Sequence, residues 1–482
     1  MMKRIATMLL AATACSSLAG CLVGPNYKKP AASVPVAYKE APGWQQAVPA
    51  DAIPKGAWWT LYGDPDLNRL EPMVVVSNQT LAADYFAYQQ ALEIVAETQG
   101  GLYPTLGLTG SATRAAEGNG GSGNVSTAKG SGGYSVSNGP RTSGTFEGSA
   151  DWTPDIWGQI RREVEGDVAA AAVSQADLAN ATLSAQATLA SDYVDLRAAD
   201  SNISLLRQTV AAYQRSLQIT QNQFNAGVAA PSDVLTARTQ LDGAEAQLIS
   251  AGEARAQYEH AIAVLAGHAP IDLTIPSGAL MTKIPVVPAG LPSTLLQRRP
   301  DIAAAERTMA EQNAQIGVAE AAFYPTLSLS ALGGFSADPI YGLFSVSNTL
   351  WSLGTNASET LFEGGTRTAT VRAAEFGYDE SIANYRQTVL SAFQDVENDL
   401  SNLRILAEQA VAEQAAVTDA NRAVQIALNE YEAGTQAYTT VVTAQATLLA
   451  DQENALTVQQ NRLLASISLI QDLGGGWQAP GA

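Results

Sequence analysis

Four stretches of the chain alternate apolar or small residues with polar ones at a period of two. Leu102, Pro104, Leu106, Leu108, Gly110 and Ala112 alternate with Tyr103, Thr105, Gly107, Thr109, Ser111 and Thr113. Phe146, Gly148, Ala150 and Trp152 alternate in the same way with Glu147, Ser149, Asp151 and Thr153. Pro325, Leu327, Leu329 and Ala331, then Trp351, Leu353 and Ala357, repeat the pattern. This is the period of a β-strand. Strands of about ten to twelve residues have the length that a tilted strand needs to cross a bilayer. Elsewhere the period is helical. The runs Gly158–Phe224 and Gly365–Tyr431 contain no proline. Ile203, Leu206, Val210, Tyr213 and Leu217 step by three and four, as do Val389, Phe393, Val396, Leu400 and Leu403, which is the seam of a coiled coil. Each run predicts a helix about 100 Å long. Shorter helices are predicted over 66–100, 232–266, 299–322 and 438–473, so that two short helices laid end to end line one long helix.

The same order of elements occurs twice. Tyr103-Pro104-Thr105-Leu106 returns as Tyr324-Pro325-Thr326-Leu327. Phe224-x-Ala226-Gly227 returns as Tyr431-x-Ala433-Gly434, and Val234-x-Thr236-Ala237 as Val441-x-Thr443-Ala444, at a shorter offset. The difference falls in the Gly- and Ser-rich stretch Gly118–Gly139 of the first copy. The chain therefore divides into two repeats, 65–270 and 293–473, joined by a linker over 271–292 and followed by a tail over 474–482. Ahead of them, the Pro-rich segment 21–64 reads as an extended tether.

Four strands do not close a barrel, and an open edge is not tolerated in hydrocarbon. Two chains would give eight strands with an interior filled by side chains, whereas three give twelve and a watery lumen. The Thr, Ser, Gly, Glu147 and Asp151 face wants water. The expected fold is an α+β membrane protein: a homotrimer whose twelve-stranded barrel continues into a long α-helical coiled-coil tunnel.

Composition narrows the function. The 482 residues carry 27 Lys+Arg against 46 Asp+Glu, a net charge of −19. That balance excludes nucleic acid as a partner, which needs clustered cations. Two Cys build no disulfide framework, and His260 and His268 supply no metal site without converging carboxylates, so no metal and no cofactor are expected. Residues 1–20 read as a signal peptide, with Lys3 and Arg4 ahead of the apolar run Ile5 to Ala14. Leu18-Ala19-Gly20-Cys21 resembles the bacterial lipobox, which implies cleavage before Cys21 and acylation of that residue. Leu22 follows in place of the Asp associated with inner-membrane retention, which favours the outer membrane of a Gram-negative bacterium. No later stretch has 18 uninterrupted apolar residues.

Several motifs together resemble the TolC-like outer-membrane efflux proteins, in the lipoprotein branch typified by NodT and OprM. They are Arg298-Arg299-Pro300-Asp301-Ile302-Ala303-Ala304-Ala305-Glu306, Gln315-Ile316-Gly317-Val318-Ala319 and Phe323-Tyr324-Pro325-Thr326-Leu327. Cys21-x-x-Gly24-Pro25-x-Tyr27, Trp58-Trp59 with Asp64-Pro65-x-Leu67, and Trp152-x-x-Asp155-x-Trp157-Gly158 fit as well. The resemblance implies a trimeric exit duct, not an enzyme, which docks with a periplasmic adaptor and an inner-membrane resistance-nodulation-division transporter to expel small molecules or drugs. The outer-membrane duct of a type I protein secretion system is the alternative.

Within that reading, the turns Gly227-Val228-Ala229-Ala230-Pro231-Ser232 and Gly434-Thr435-Gln436-Ala437 are expected to be the adaptor-docking tips, although glycine there also simply stops a helix. The resemblance places the periplasmic gate at Asp233 in the first copy and at Thr440 and Thr443 in the second. The departure from acidic residues in the second copy leaves at most one carboxylate ring. Asp233 also suits the start of a helix. Pro300 and Asp301 likewise suit a helix start, and Trp152 and Trp157 suit an aromatic girdle. Gly118-x-Gly120-x-x-Gly123 follows no buried strand and is no dinucleotide site. Asp195, Asp200, Asp395 and Asp399 are expected on solvated helix faces.

Overall fold

The computed structural model describes residues 22–31, 38–39, 56–116, 140–285 and 298–475. The signal peptide, Cys21 and the whole Gly- and Ser-rich stretch Gly118–Gly139 lie outside the described residues. The chain forms two compact units. One is built from Ala91–Ala169 and Ala310–Glu380 with the described residues up to Lys28, the other from Lys29–Gln90, Ala170–Met309 and the described residues from Ser381 onward. Each repeat thus contributes to both units.

The first unit holds a four-stranded antiparallel sheet of β1 (Thr105–Ala115), β2 (Arg141–Trp152), β3 (Thr326–Ala337) and β4 (Thr349–Ser358), in that order. Residues directly opposite across an antiparallel ladder share a face, and the register keeps the two sequence patterns apart. Leu106 pairs Ala150, Gly110 pairs Phe146, Phe146 pairs Phe335, Ala331 pairs Leu353 and Gly333 pairs Trp351 on one face. On the other, Thr105 pairs Asp151, Ser111 pairs Thr145, Asp151 pairs Ser330 and Ser328 pairs Asn356.

The helices are α1 (Pro65–Ser77), α2 (Gln79–Gly100), α3 (Gln159–Asn225), α4 (Pro231–Leu265), α5 (Pro300–Ala321), α6 (Thr366–Glu432) and α7 (Tyr438–Asp472). The proline-free runs become α3 and α6, of 67 residues each. Their predicted seam residues Ile203, Leu206, Val210, Tyr213, Val389, Phe393, Val396, Leu400 and Leu403 are buried. The single helix expected over 66–100 is two. Asn78 takes extended backbone, ends α1 by donating its N–H to the Val74 carbonyl, and caps α2 with its side chain. Its Oδ1 accepts from the N–H of Thr80 at 2.8 Å and of Leu81 at 3.2 Å. A side chain that satisfies the N–H groups of a new helix makes the break cheap. Asp64 does the same for α1, accepting from Asp66 and Leu67 with Pro65 at the first position.

Candidate functional site

The apolar face of the sheet is exposed where a soluble sheet would cover it. Leu106 is 81% exposed, Leu353 76% and Trp351 75%, with Leu108 and Phe146 also open. Such a face is suited to hydrocarbon, and the opposite face of Thr, Ser, Asn, Glu147 and Asp151 to water. Among the described residues, β1 and β4 each pair on one side only, so the sheet has two open edges. Trp152 stands at the end of β2 and donates its indole N–H to the Leu102 carbonyl at 3.0 Å. Trp157 stacks on Tyr324 at 4.8 Å between ring centroids and donates to the Pro325 carbonyl at 2.8 Å.

The second feature is the pair of turns that join α3 to α4 and α6 to α7. Gly227 and Gly434 have φ of 78° and 72°, the left-handed region that ends helices at low cost only for glycine. Gly227 donates to the Phe224 carbonyl and Val228 to Gln223, while Gly434 donates to Tyr431 and Thr435 to Glu430. The loops are exposed: Val228, Ala230, Pro231 and Ser232 in one, and Thr435, Gln436 and Ala437 in the other, with Ala229 half-buried. Ala230 and Ala437 sit at the N-cap positions of α4 and α7 and supply no side-chain cap. Behind the turns, Ala237, Ala427, Tyr431, Tyr438 and Val441 form one apolar cluster. The rings of Tyr431 and Tyr438 lie 5.1 Å apart. The Gln223 amide donates to the Tyr431 carbonyl at 3.2 Å and ties the end of α3 to that of α6. Burial pushes the Tyr438 phenol up to about 12, with the neighbouring Tyr431 and then Asp233 adding to it.

The gate candidates lie in the first turns of the helices that follow. Asp233 is half-buried, and its N–H donates to the Ala230 carbonyl. Thr440 is exposed, with its hydroxyl 3.4 Å from the Gln436 side-chain oxygen. Thr443 turns its hydroxyl back onto the Thr439 carbonyl at 2.9 Å. His260 and His268 are exposed, and no cluster of His, Cys, Asp or Glu suited to a metal occurs among the described residues.

The expectation for the four helix aspartates needs correction. Asp200 is buried and accepts from Arg255 at 2.8 Å, from Arg197 at 3.3 Å and from the Gly278 N–H at 3.0 Å. Arg197 joins this to Asp66 at 2.9 Å and to the Tyr193 hydroxyl, which donates to Asp64 at 2.6 Å. Asp399 is also buried, and burial pushes its carboxyl well up, reinforced by Asp472 and Asp395. Asp195 is half-buried and accepts from Gln460 at 2.7 Å. Asp395 is also half-buried, its side chain 43% exposed and 3.9 Å from Arg299. Apart from Arg197, on the same helix as Asp200, the hydrogen-bond partners Arg255, Gly278 and Gln460 come from segments distant in sequence, which helical periodicity does not reveal. The same holds for Glu71, fully buried on α1 with neither carboxylate oxygen hydrogen-bonded among the described residues.

Comparison with known proteins gives one consistent answer. The family model of the outer membrane efflux protein matches residues 72–268 and 291–475. The chain is 29% identical over 465 residues to the probable efflux pump outer membrane protein TtgC of Pseudomonas putida, covering 95% of this chain and 93% of that protein. The solved outer-membrane channel OprN superposes with a TM-score of 0.81 at 27% identity, over 95% of this chain and 100% of that one. The CmeC outer membrane channel of Campylobacter jejuni shares the fold, with a TM-score of 0.87 at 22% identity over 96% of each chain.

Proposed function

The chain belongs to the outer membrane efflux protein family and is the outer-membrane channel component of a tripartite efflux system; from that premise we propose a passive homotrimeric duct that expels small molecules. The observation that carries the trimer is the sheet: two faces of opposite character and, among the described residues, an edge strand at each side that pairs on one side only. In hydrocarbon each unpaired backbone group costs several kcal/mol, so the free edges of β1 and β4 are satisfied only by neighbouring copies. Three copies give twelve strands, enough for a water-filled lumen lined by the Thr, Ser and Asp face.

The remaining roles follow from the same reading. Acylation of Cys21 anchors the chain to the outer membrane and adds to the hold of the barrel. The exposed tips at Gly227–Ser232 and Gly434–Ala437 take the periplasmic adaptor, six tips in a trimer, and the adaptor connects the duct to a resistance-nodulation-division transporter. Asp233, Thr440 and Thr443 line the aperture at that end.

The test is a cysteine scan of the sheet edges. Thr109→Cys on β1 is combined in turn with Ser352→Cys, Gly354→Cys or Asn356→Cys on β4, residues that share the polar face, in a Cys21→Ser background. Oxidation in membranes is expected to give a ladder that ends at the trimer. A ladder that ends at the dimer, or no cross-link from any pair, would overturn the twelve-stranded barrel.

A further inference from the structure

Arg162 is 1% exposed, and it spends most of its guanidinium on three residues at the start of the mature chain. Its Nε donates to the Val23 carbonyl at 2.9 Å, and its Nη2 to the Gly24 carbonyl at 2.8 Å and the Asn26 Oδ1 at 3.0 Å. Only Nη1 is used otherwise, on Glu165 at 2.6 Å. The Val23 N–H donates to the Trp157 carbonyl at 3.1 Å, and the Asn313 amide donates to the Pro25 carbonyl at 2.9 Å. The fit is tight enough to dictate glycine on both sides. Gly24 has φ of 91°, and a Cβ there would run into the Gly317 Cα. A Cβ on Gly317 would come within 2.8 Å of the Arg162 Nε. Gly158, with φ of 85°, would bring a Cβ to 2.5 Å from the Leu22 Cδ1.

Three motifs separated by more than a hundred residues thus meet at one place. Cys21-x-x-Gly24-Pro25 supplies the inserted segment, Trp157-Gly158 one wall, and Gln315-Ile316-Gly317 the floor. A buried guanidinium is costly without partners. Removing the segment would leave Arg162 with Glu165 alone, so the segment's carbonyls stabilise the socket as much as the socket holds the segment.

We propose that Arg162, Gly317 and Asn313 form a socket that receives the first residues of the mature chain and fixes the point at which the lipid leaves the protein. The anchor is then a rigid strut that begins beside the Trp157–Tyr324 stack, in place of a free tether. This rests on the reading of Cys21 as the acylated residue. Arg162 is a positioning residue: it holds the backbone two and three residues beyond the acylated position.

Hydrogen exchange read by mass spectrometry on the full-length protein in nanodiscs tests the proposal, with the peptide spanning residues 22–27 as reporter. The wild-type segment is expected to be protected, through the Val23 N–H. Arg162→Ala is expected to raise its exchange rate roughly tenfold or more while peptides of α7 stay unchanged. Gly317→Ala, which keeps the arginine but displaces it, gives the same result if the Arg162 variant does not assemble. Unchanged exchange in an assembled variant would overturn the socket. The mature chain exported behind an ordinary signal peptide with Cys21→Ser is expected to keep its protection; loss there would mean that lipid, not Arg162, orders the segment. Palmitate labelling of the wild type reports on the lipid separately. Its absence overturns acylation, whatever the exchange of the segment.

Discussion

Arg299 and Asp472 are joined twice: the guanidinium donates to the Asp472 main-chain carbonyl at 3.2 Å and to its carboxylate at 3.4 Å. Asp472 is the last residue of α7, where a carboxylate faces the unfavourable end of the helix dipole, and the arginine offsets both. The same guanidinium grips Asp301, in the first turn of α5, at 2.8 and 3.1 Å. It therefore ties the start of α5 to the end of α7.

Arg299→Ala leaves three carboxylates, Asp301, Asp395 and Asp472, without their shared cation. The arginine is 12% exposed but its partners are more open. The expected loss is about 2–3 kcal/mol, below the range for fully buried pairs. Arg299→Lys keeps the charge but not the fork that reaches both helices, and an intermediate loss is expected. Thermal unfolding of the purified protein at low salt measures both. A melting temperature unchanged in the alanine variant would mean that the packing of α5 and α7 holds the junction without the arginine.

Glu71 gives the chain a pH dependence of definite sign. Burial pushes its carboxyl to about 9, so the native state holds the proton. The unfolded chain releases it near pH 4 to 5. Between those values the native state binds more protons than the unfolded one, and stability falls as pH rises. The contribution is fullest below the unfolded value and is lost as pH rises through the native one. Glu71→Gln mimics the protonated form, and it is expected to match the wild type at pH 5 and to exceed it in melting temperature by several degrees at pH 8. Parallel melting curves across that range for the two proteins would contradict a neutral buried Glu71.

Much of this architecture is legible in the sequence, and the rest is hidden for two reasons, a local cap and partners from distant segments. The long helices and the strands show because each has one periodicity sustained over its length, and the seam from Ile203 to Tyr213 and the pairing of Leu106 with Ala150 follow from that alone. Gly227 and Gly434 were readable as helix ends because their residue type has a local reason. The break at Asn78 is hidden because it is a cap, set by one side chain against two backbone N–H groups within a run that reads as helical throughout. The burial of Asp200 and Asp399 is not legible in the sequence because Arg255, Gly278 and Asp472, which face them, come from other segments. The Arg162 socket was present as three separate motifs, with nothing in their spacing to say that they meet.

The tips yield a prediction that separates docking from folding. Val228 is exposed and Ala229 half-buried at the first turn, and Ala437 is exposed at the second. At Val228 and Ala437 a bulky side chain has open space, and Ala229 is partly open. Ala229→Trp and Ala437→Trp are expected to assemble with unchanged heat stability yet to lower drug resistance and chemical cross-linking to the adaptor. Gly434→Ala is the contrasting control: it strains a φ of 72° and is expected to cost about 1 kcal/mol of stability. Normal resistance in both tryptophan variants would remove the turns from the docking surface.

Asp233 decides between an aperture and a helix end. It occupies the first turn of α4, where a negative charge gains about 0.3–1 kcal/mol from the helix dipole, although the N-cap itself, Ala230, offers no side-chain acceptor. The second copy has Thr440 at the equivalent position, neutral and with its hydroxyl near Gln436. A trimer therefore carries one ring of three carboxylates at this level, and such a ring concentrates negative potential and attracts cations where a pore is narrow. Asp233→Asn keeps the shape and removes the charge. In planar bilayers it is expected to lower cation selectivity and to weaken block by divalent ions, with a drop in melting temperature no larger than the dipole contribution allows. Unchanged selectivity and block together with a lower melting temperature would assign Asp233 to the start of α4 alone and move the gate to other residues.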